Sequence, residues 1–155
     1  GLQGDVMKES MNVAKTLAWK LTPNNIKTKL IKNFKTTKMQ CIHIHCPEGA
    51  VPKDGPSAGT AITTCIYSLF NGKKIKNKVA ITGEINLQGS VTAIGGLELK
   101  ILGGIRAGVK TFIFPEENQD DFDKIKSNMK DLTIFDGIEF VSVSHIKQVL
   151  DIVFE

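Results

Sequence analysis

A single serine, Ser57, is placed where enzymes often present a nucleophile. It lies in the run PKDGPSAG at residues 52–59, and small and apolar residues typical of a helix follow it. Its hydroxyl is therefore expected on a sharp turn at the positive end of a helix dipole, with small neighbours that let another backbone approach. A serine hydroxyl is a weak nucleophile, however, until a neighbouring base removes its proton.

Histidine is the most common catalytic base, and the chain contains His43, His45 and His145. His43 and His45 alternate along a predicted strand at residues 39–46, so both should face the same side of it. Residues 55–59, GPSAG, have the G-x-S-x-G spacing, but a loop rich in Gly and Pro precedes Ser57 where a nucleophile elbow needs a strand. The pattern therefore does not favour a Ser–His–Asp triad over ordinary strand histidines.

Lysine can serve as the base if burial lowers its pKa, because loss of water disfavours the ammonium form. Most lysines here lie in charged runs, but Lys100 lies among apolar residues and glycines at residues 94–104. Such a lysine either extends its amine to water or is kept inside for a purpose. Spacing alone favours the first interpretation.

The same strand suggests a metal site, because Cys41 and Cys46 accompany the two histidines. Cys46 should face the opposite side from Cys41, His43 and His45, so we do not expect zinc or another metal to bind. The third cysteine, Cys65, is in an unrelated segment. An odd number of scattered cysteines argues against a disulfide framework and indicates a reducing compartment.

Helices and short strands mix along the chain without regular alternation, which predicts an α+β fold with parallel strand pairs late in the chain. Hydrophobic periodicity and turn residues predict, in order, a helix at 4–21, a lysine-rich helix opened by Pro23, a strand at 39–46, a helix from Ser57 to Phe70, a strand at 79–82, a hairpin at 85–93, a helix at 97–107, a strand at 111–114, an acidic helix, a strand at 139–143 and a terminal helix from Ser144.

Composition limits the possible partners. The 155 residues are long enough for one domain with its own core, and the net charge is +4. The lysines at 27–38 have Phe34 as their sole aromatic neighbour, so they predict a solvated face and nucleic-acid binding is not expected. No apolar run approaches the roughly 20 residues that span a bilayer, so no membrane contact is expected. The abrupt start, without signal-peptide features, is typical of a domain cut from a longer chain.

Five ordered segments resemble the proteolytic domain of Lon, the ATP-dependent protease: HIHCPEGA at 43–50, PKDGPSAG at 52–59, TGEI at 82–85, GGLELK at 95–100 and IFPEEN at 113–118. The resemblance covers residues 4–155. It implies one Lon-type proteolytic domain with the ribosomal protein S5 domain 2-like fold, in which small mixed sheets pack with helices. It also implies a longer parent chain with an ATPase module.

The resemblance also implies a catalytic dyad and reverses the interpretation of Lys100. Ser57 would attack the scissile carbonyl and form an acyl-enzyme, and Lys100 would be the general base. Thr82 would hydrogen-bond the lysine amine and orient it. The turn before Ser57 would supply backbone amides for the oxyanion.

Other matches to the family imply supporting roles. Asp54 corresponds to an acidic residue that shapes the turn and can rearrange it between active and inactive states, although a turn-capping Asp is an equally good explanation. His43 and His45 would support the nucleophile loop, and Glu48 would cap or salt-link it. The family usually has a lysine where this chain has Glu98, which we expect in solvent because residues two apart on a helix face different sides.

The resemblance finally implies a serine endopeptidase that degrades unfolded or damaged proteins as a homo-hexamer, in the cytoplasm or the mitochondrial matrix. No phosphate-loop motif is present, so no cofactor is expected in this domain, and ATP and Mg²⁺ would bind the ATPase module of the parent. The alternative is a non-catalytic Lon-like domain that serves as an oligomerisation or nucleic-acid-binding scaffold. Such relatives lack the serine–lysine pair that this chain keeps.

Overall fold

The structure, a computed structural model, describes residues 1–38 and 42–155. Within these ranges the helices are α1 (Asp5–Leu21), α2 (Asn24–Thr37), α3 (Gly59–Asn71), α4 (Leu97–Arg106), α5 (Gln119–Asn128) and α6 (Ile146–Val153), and the strands are β1 (Val79–Ile81), β2 (Glu84–Ile85), β3 (Val91–Thr92), β4 (Thr111–Pro115) and β5 (Glu139–Val143). Short 3-10 turns occupy Glu116–Asn118 and Leu132–Phe135. The predicted α+β class is confirmed.

The strands form a three-stranded sheet in the order β1-β4-β5 and a separate hairpin of β2 and β3. β4 pairs in parallel with β1 on one side and with β5 on the other. The crossovers contain α4 and α5, as parallel pairing requires. The expectation of parallel pairs late in the chain is therefore confirmed, and so is the antiparallel hairpin.

The central strand β4 divides the core into two halves. Its alternate residues face opposite sides of the sheet, so Ile113 packs with α1 and α6, while Phe112 and Phe114 pack against α4 and α5. Ile113 and Phe114 are 0% and 1% exposed. Because α4 is held through Leu97 and Ile101 in the second half, the position of this helix depends on β4.

The strand predicted at residues 39–46 is not found in its described part. Residues 42–46 have no strand ladder, and residues 39–41 lie outside the described ranges. Ile42 and Ile44 instead pack against the helical cluster of Ala14, Ala18 and Ile66. An extended segment lying on helices has the same alternation of apolar and polar residues as an edge strand, and this explains the error.

Two helix ends follow directly from their sequences. Gly72 ends α3 in the left-handed conformation, with φ of 61°, which only glycine adopts without cost. His145 caps α6: its Nδ1 accepts the N–H of Lys147, and the side chain of Gln148 accepts the N–H of His145. The Nε2 of His145 also contacts the carbonyl of Gln88 at 3.1 Å. This histidine is therefore structural and unavailable as a base.

His145→Ala should lower the free energy of unfolding by about 1–2 kcal/mol, because it removes an N-cap and a contact with the hairpin turn. Denaturant unfolding of the purified chain measures this loss. His43→Ala, at an exposed position, is the matched control and should change stability by less than about 0.5 kcal/mol. Equal stability of the two variants would contradict the capping role.

Candidate functional site

Ser57 lies on the turn directly before α3, and its backbone is fixed by the end of β1. The N–H of Gly83 donates to the carbonyl of Ser57 at 2.9 Å, and the N–H of Thr60 donates to the carbonyl of Gly83 at 3.1 Å. The hydroxyl of Thr60 donates to that same Gly83 carbonyl at 2.9 Å. These reciprocal bonds join the turn to the link between β1 and β2.

Lys100, 43 residues further along the chain, lies beside this serine. Its Nζ is 3.3 Å from the Oγ of Ser57, in a geometry that allows a hydrogen bond between the amine and the hydroxyl. Lys100 is half-buried on α4, whose neighbouring residues Leu97 and Ile101 are buried in the core. The structure thus brings together the two residues that the resemblance paired, whereas Glu98 is exposed as expected.

Thr82 lies in the same site but has a different partner from the one expected. Its hydroxyl donates to the backbone carbonyl of Ser57 at 3.3 Å, and the residue is 6% exposed. Within the described ranges, the hydrogen bond of the Lys100 amine is to Ser57 and not to Thr82. Thr82 therefore holds the backbone of the serine, and the packing of α4 positions the lysine.

Asp54 binds the start of α1, a contact between distant parts of the chain. Its Oδ1 accepts the N–H of Met7 at 3.0 Å. The pKa of the Asp54 carboxyl is lowered, first by a hydrogen bond from the N–H of Gly55 and then by the one from Met7. A Cβ at Gly4 would lie 2.3 Å from the Asp54 carboxyl carbon, so residue 4 must be glycine for this contact. The aspartate thereby fixes the turn that carries Ser57 to α1.

The other expected supports do not contact Ser57 in the described structure. His43 and His45 are exposed, and the Nδ1 of His45 lies 3.3 Å from the amine of Gly1. Glu48 is exposed, and its backbone carbonyl, not its carboxylate, accepts from the amine of Lys53. His45 is thus placed with the N-terminal segment, and in the described part of the chain no hydrogen bond joins His43 or His45 to Ser57 or Lys100.

The suspected metal site can be compared with the structure only through the described residues. Among the described residues no group of three or more His, Cys, Asp or Glu side chains could hold a metal ion. Cys41, one of the four residues of the suspected cluster, lies outside the described ranges. Cys46 and Cys65 are free thiols, and Cys65 is exposed.

Sequence reasoning missed two residues that support the turn. Ser10, on the buried face of α1, donates through its hydroxyl to the carbonyl of Pro56 at 3.4 Å. At Gly59 an added Cβ would lie 2.6 Å from the Oγ of Ser10 and 2.8 Å from Ile85, so α3 can approach α1 and the hairpin only with glycine there. A polar residue within the apolar stripe of α1 was the available signal for Ser10.

A cleft of about 430 Å³ opens beside the dyad. It is lined by Ser57, Ala58, Ala61, Ala80, Ile81, Thr82, Lys100, Gly103, Gly104, Ala107, Val109 and Phe112. The nucleophile candidate and the amine therefore share one opening with a small, largely apolar wall. This volume lies within the range of about 300–1,000 Å³ that ligand pockets commonly have.

A serine hydroxyl on a helix-entry turn, with a lysine amine at hydrogen-bond distance and a cleft beside both, is an arrangement typical of serine hydrolases that use a lysine as the base. Residues 1–155 match the model of the Lon protease (S16) C-terminal proteolytic domain. The chain belongs to this family, as the sequence resemblance predicted, and is a proteolytic domain of the serine peptidase type.

Curated relatives agree with this assignment. The chain is 42% identical over an alignment of 158 residues to "Lon protease homolog 2, peroxisomal" of Rattus norvegicus, covering 100% of the chain and 18% of the relative. It is 46% identical over 151 residues to "Lon protease" of Rickettsia typhi, covering 97% and 18%. "Lon protease" of Fusobacterium nucleatum subsp. nucleatum is 47% identical over 130 residues, covering 84% and 16%. The chain thus spans less than a fifth of the length of these relatives.

None of the helices within the described ranges is long and apolar enough to cross a membrane.

The contribution of Asp54 to stability should depend on pH. A lowered folded-state pKa means that its stabilisation is present above the unfolded pKa of about 3.9 and is lost as the pH falls through the folded value. Asp54→Asn should therefore be less stable than the wild type at pH 7, and the two should converge at low pH. Denaturant unfolding from pH 7 to pH 2 tests this.

Asp136→Asn, at an exposed position, is the control for general charge effects. A constant difference between Asp54→Asn and the wild type across this pH range would show that the carboxylate does not stabilise the turn through its ionised form.

Proposed function

We propose that this chain, as the single domain 4–155, is the proteolytic part of a longer ATP-dependent serine endopeptidase, and that it cleaves peptide bonds with a Ser57–Lys100 dyad. The observation that supports this most strongly is the 3.3 Å distance between the Lys100 Nζ and the Ser57 Oγ. Membership of the Lon proteolytic-domain family and the names of the relatives support the same reaction class.

The dyad works by moving one proton. With its amine neutral, Lys100 accepts the Oγ proton as the Oγ of Ser57 forms a bond to the scissile carbonyl carbon. When the carbon–nitrogen bond breaks, Lys100 returns the proton to the leaving amine, and the acyl group stays on Ser57 as an ester. Water then attacks the ester carbon while Lys100 takes a proton from it, and Lys100 passes this proton to the Ser57 Oγ as the ester bond breaks. This releases the carboxyl product and restores the serine hydroxyl and the neutral amine.

The oxyanion of each tetrahedral intermediate needs fixed hydrogen-bond donors. The backbone N–H groups of Ser57 and Ala58 precede the first residue of α3, and among the described residues they donate to no backbone acceptor. They also lie at the positive end of the helix dipole. We assign the oxyanion site to these two groups.

Thr82 and Asp54 are positioning residues in this proposal. Thr82 holds the carbonyl of Ser57, and Asp54 holds the turn against α1, so both determine where the Oγ stands relative to the amine. The contact of Asp54 with the helix start favours a turn-fixing role for it. A rearrangement of this turn would have to break the bond from Met7.

The parent protein, in this proposal, unfolds and delivers its substrates. Its ATPase module would bind ATP and Mg²⁺, six copies would assemble into a ring, and unfolded or damaged proteins would be the substrates. The support is the family assignment together with the small share of the relatives that the chain covers. Free thiols at Cys46 and Cys65 fit a reducing intracellular compartment. One relative is named as peroxisomal and others are bacterial.

Ser57→Ala should reduce peptide cleavage to the uncatalysed background, and Lys100→Ala should lower kcat by about 10²–10⁴-fold, because each removes one member of the proton-transfer pair. Hydrolysis of a fluorogenic peptide by the full-length protein measures both. Ser127→Ala and Lys130→Ala, at exposed positions, are matched controls that should retain wild-type turnover.

Wild-type turnover in Lys100→Ala would exclude the dyad. Absence of any cleavage by the wild type, with unchanged assembly in all four variants, would favour the non-catalytic scaffold instead.

Thr82→Val should lower kcat by roughly tenfold, because one hydrogen bond to the serine backbone is lost, whereas Thr82→Ser should restore most of the activity. Since the Thr82 hydroxyl contacts Ser57 and not the lysine amine, the loss should be the same at every pH. Peptide hydrolysis across the active pH range tests this. A changed shape of the pH profile in Thr82→Val would show that Thr82 acts on Lys100 instead.

A further inference from the structure

The cleft beside the dyad has one charged wall residue, the Lys100 that the reaction itself uses. The rest of its wall is almost entirely small or apolar, with contributions from α3, β1, α4 and β4. Phe112, which is 3% exposed, is its largest apolar wall residue. A cationic group entering this cleft would find no partner, and an anionic group would meet only the Lys100 amine, which the proposed reaction needs neutral. The cleft is therefore chemically suited to an apolar side chain.

Two adjacent glycines on α4, Gly103 and Gly104, account for part of the open volume of the cleft. An added Cβ at Gly104 would lie 3.1 Å and 3.2 Å from two atoms of the Phe112 ring, so this glycine lets the helix pack closely on β4. At Gly103 an added Cβ would meet no heavy atom within 4 Å. Gly103 thus faces open space in the cleft, although glycine is a poor helix former. Its absent side chain leaves volume that a ligand can fill.

The direction of the cleft relative to the dyad indicates which part of a substrate it holds. Lys100, Gly103 and Gly104 of α4 and Ala107, which directly follows the helix, line the cleft on one face that runs away from the catalytic amine. Lys100 must hand its proton to the leaving nitrogen, so that nitrogen and the residue carrying it lie on the Lys100 side of Ser57.

We propose that this cleft binds the side chain of the substrate residue immediately after the scissile bond, and that it selects large apolar side chains there. The inference rests on the proposed function, because it takes Ser57 as the nucleophile and Lys100 as the proton donor to the leaving amine. It adds a specificity site, with Gly103 as the residue that sets its depth.

Internally quenched peptides that differ only in the residue after the scissile bond test the selectivity, with the cut position read by mass spectrometry. The wild-type full-length protein should cleave peptides with Leu or Phe at this position at least about tenfold faster, in kcat/KM, than those with Ala, since each methylene in an apolar pocket is worth about 10–200-fold. Peptides with Asp there should be the slowest. Equal rates across the series would overturn the proposal.

Gly103→Leu should fill the cleft. It should lose at least about tenfold on the Leu and Phe peptides and reverse the preference towards Ala, while Gly103→Ala should fall between the wild type and Gly103→Leu. Glu98→Leu adds the same side chain at an exposed position of α4 outside the cleft and should keep the wild-type preference. An unchanged preference in Gly103→Leu, or a change that maps to the residue before the scissile bond, would contradict the assignment.

Labelling with an alkyl fluorophosphonate separates this inference from the dyad itself. The Ser57 Oγ bonds to phosphorus and fluoride leaves, so no substrate residue needs to occupy the cleft. Gly103→Leu should still label at Ser57, whereas Ser57→Ala should not label. Failure of the wild type to label would refute the proposed function, while normal labelling of Gly103→Leu with unchanged peptide preference would refute the cleft alone.

Discussion

The three hydrogen bonds that join Gly83 to the Ser57 turn and to the start of α3 are the constraint on which the site depends. The N–H of Gly83 binds the carbonyl of Ser57, and the carbonyl of Gly83 accepts from both the N–H and the hydroxyl of Thr60. A Cβ at Gly83 would lie 2.6 Å from Val91 and 2.8 Å from the Thr60 hydroxyl. Only glycine lets the turn, the start of α3 and the hairpin come this close, and Ser57 takes its position from that approach.

The lysine reaches this serine through the central strand. The N–H of Thr82 donates to the carbonyl of Ile113 at 3.0 Å, which continues the contact of β1 with β4 just before Gly83. The opposite face of β4 carries Phe112, against which α4 packs. One buried strand therefore fixes both the end of β1 that holds the turn and the helix that carries Lys100. Ser57 and Lys100, which are far apart in the chain, meet because contacts with β4 position both the end of β1 and α4.

Helices and strands with a regular hydrophobic repeat could be predicted from the sequence, whereas individual hydrogen bonds between side chains and distant backbone groups could not. The long helix α1 and the parallel strands follow from hydrophobic spacing and turn residues, because burial of one face determines both. At Ile42 and Ile44 the same reasoning failed, since apolar alternation records which side is buried and not whether a neighbouring strand supplies a ladder. Spacing likewise left Lys100 as an ordinary surface lysine, and only the family resemblance paired it with Ser57.

The contacts of Thr82 and Asp54 have a common physical basis. A family motif fixes which residue types stand near a nucleophile, but the atom that each side chain contacts depends on distances of a few tenths of an ångström. Both side chains bind backbone groups, Thr82 the carbonyl of Ser57 and Asp54 the N–H of Met7. Backbone partners are available at any sequence, so these contacts leave no signature of their own in the chain. Orientation of the amine then rests on the packing of α4, and this gives the Gly104–Phe112 contact a role in placing Lys100 as well as in shaping the cleft.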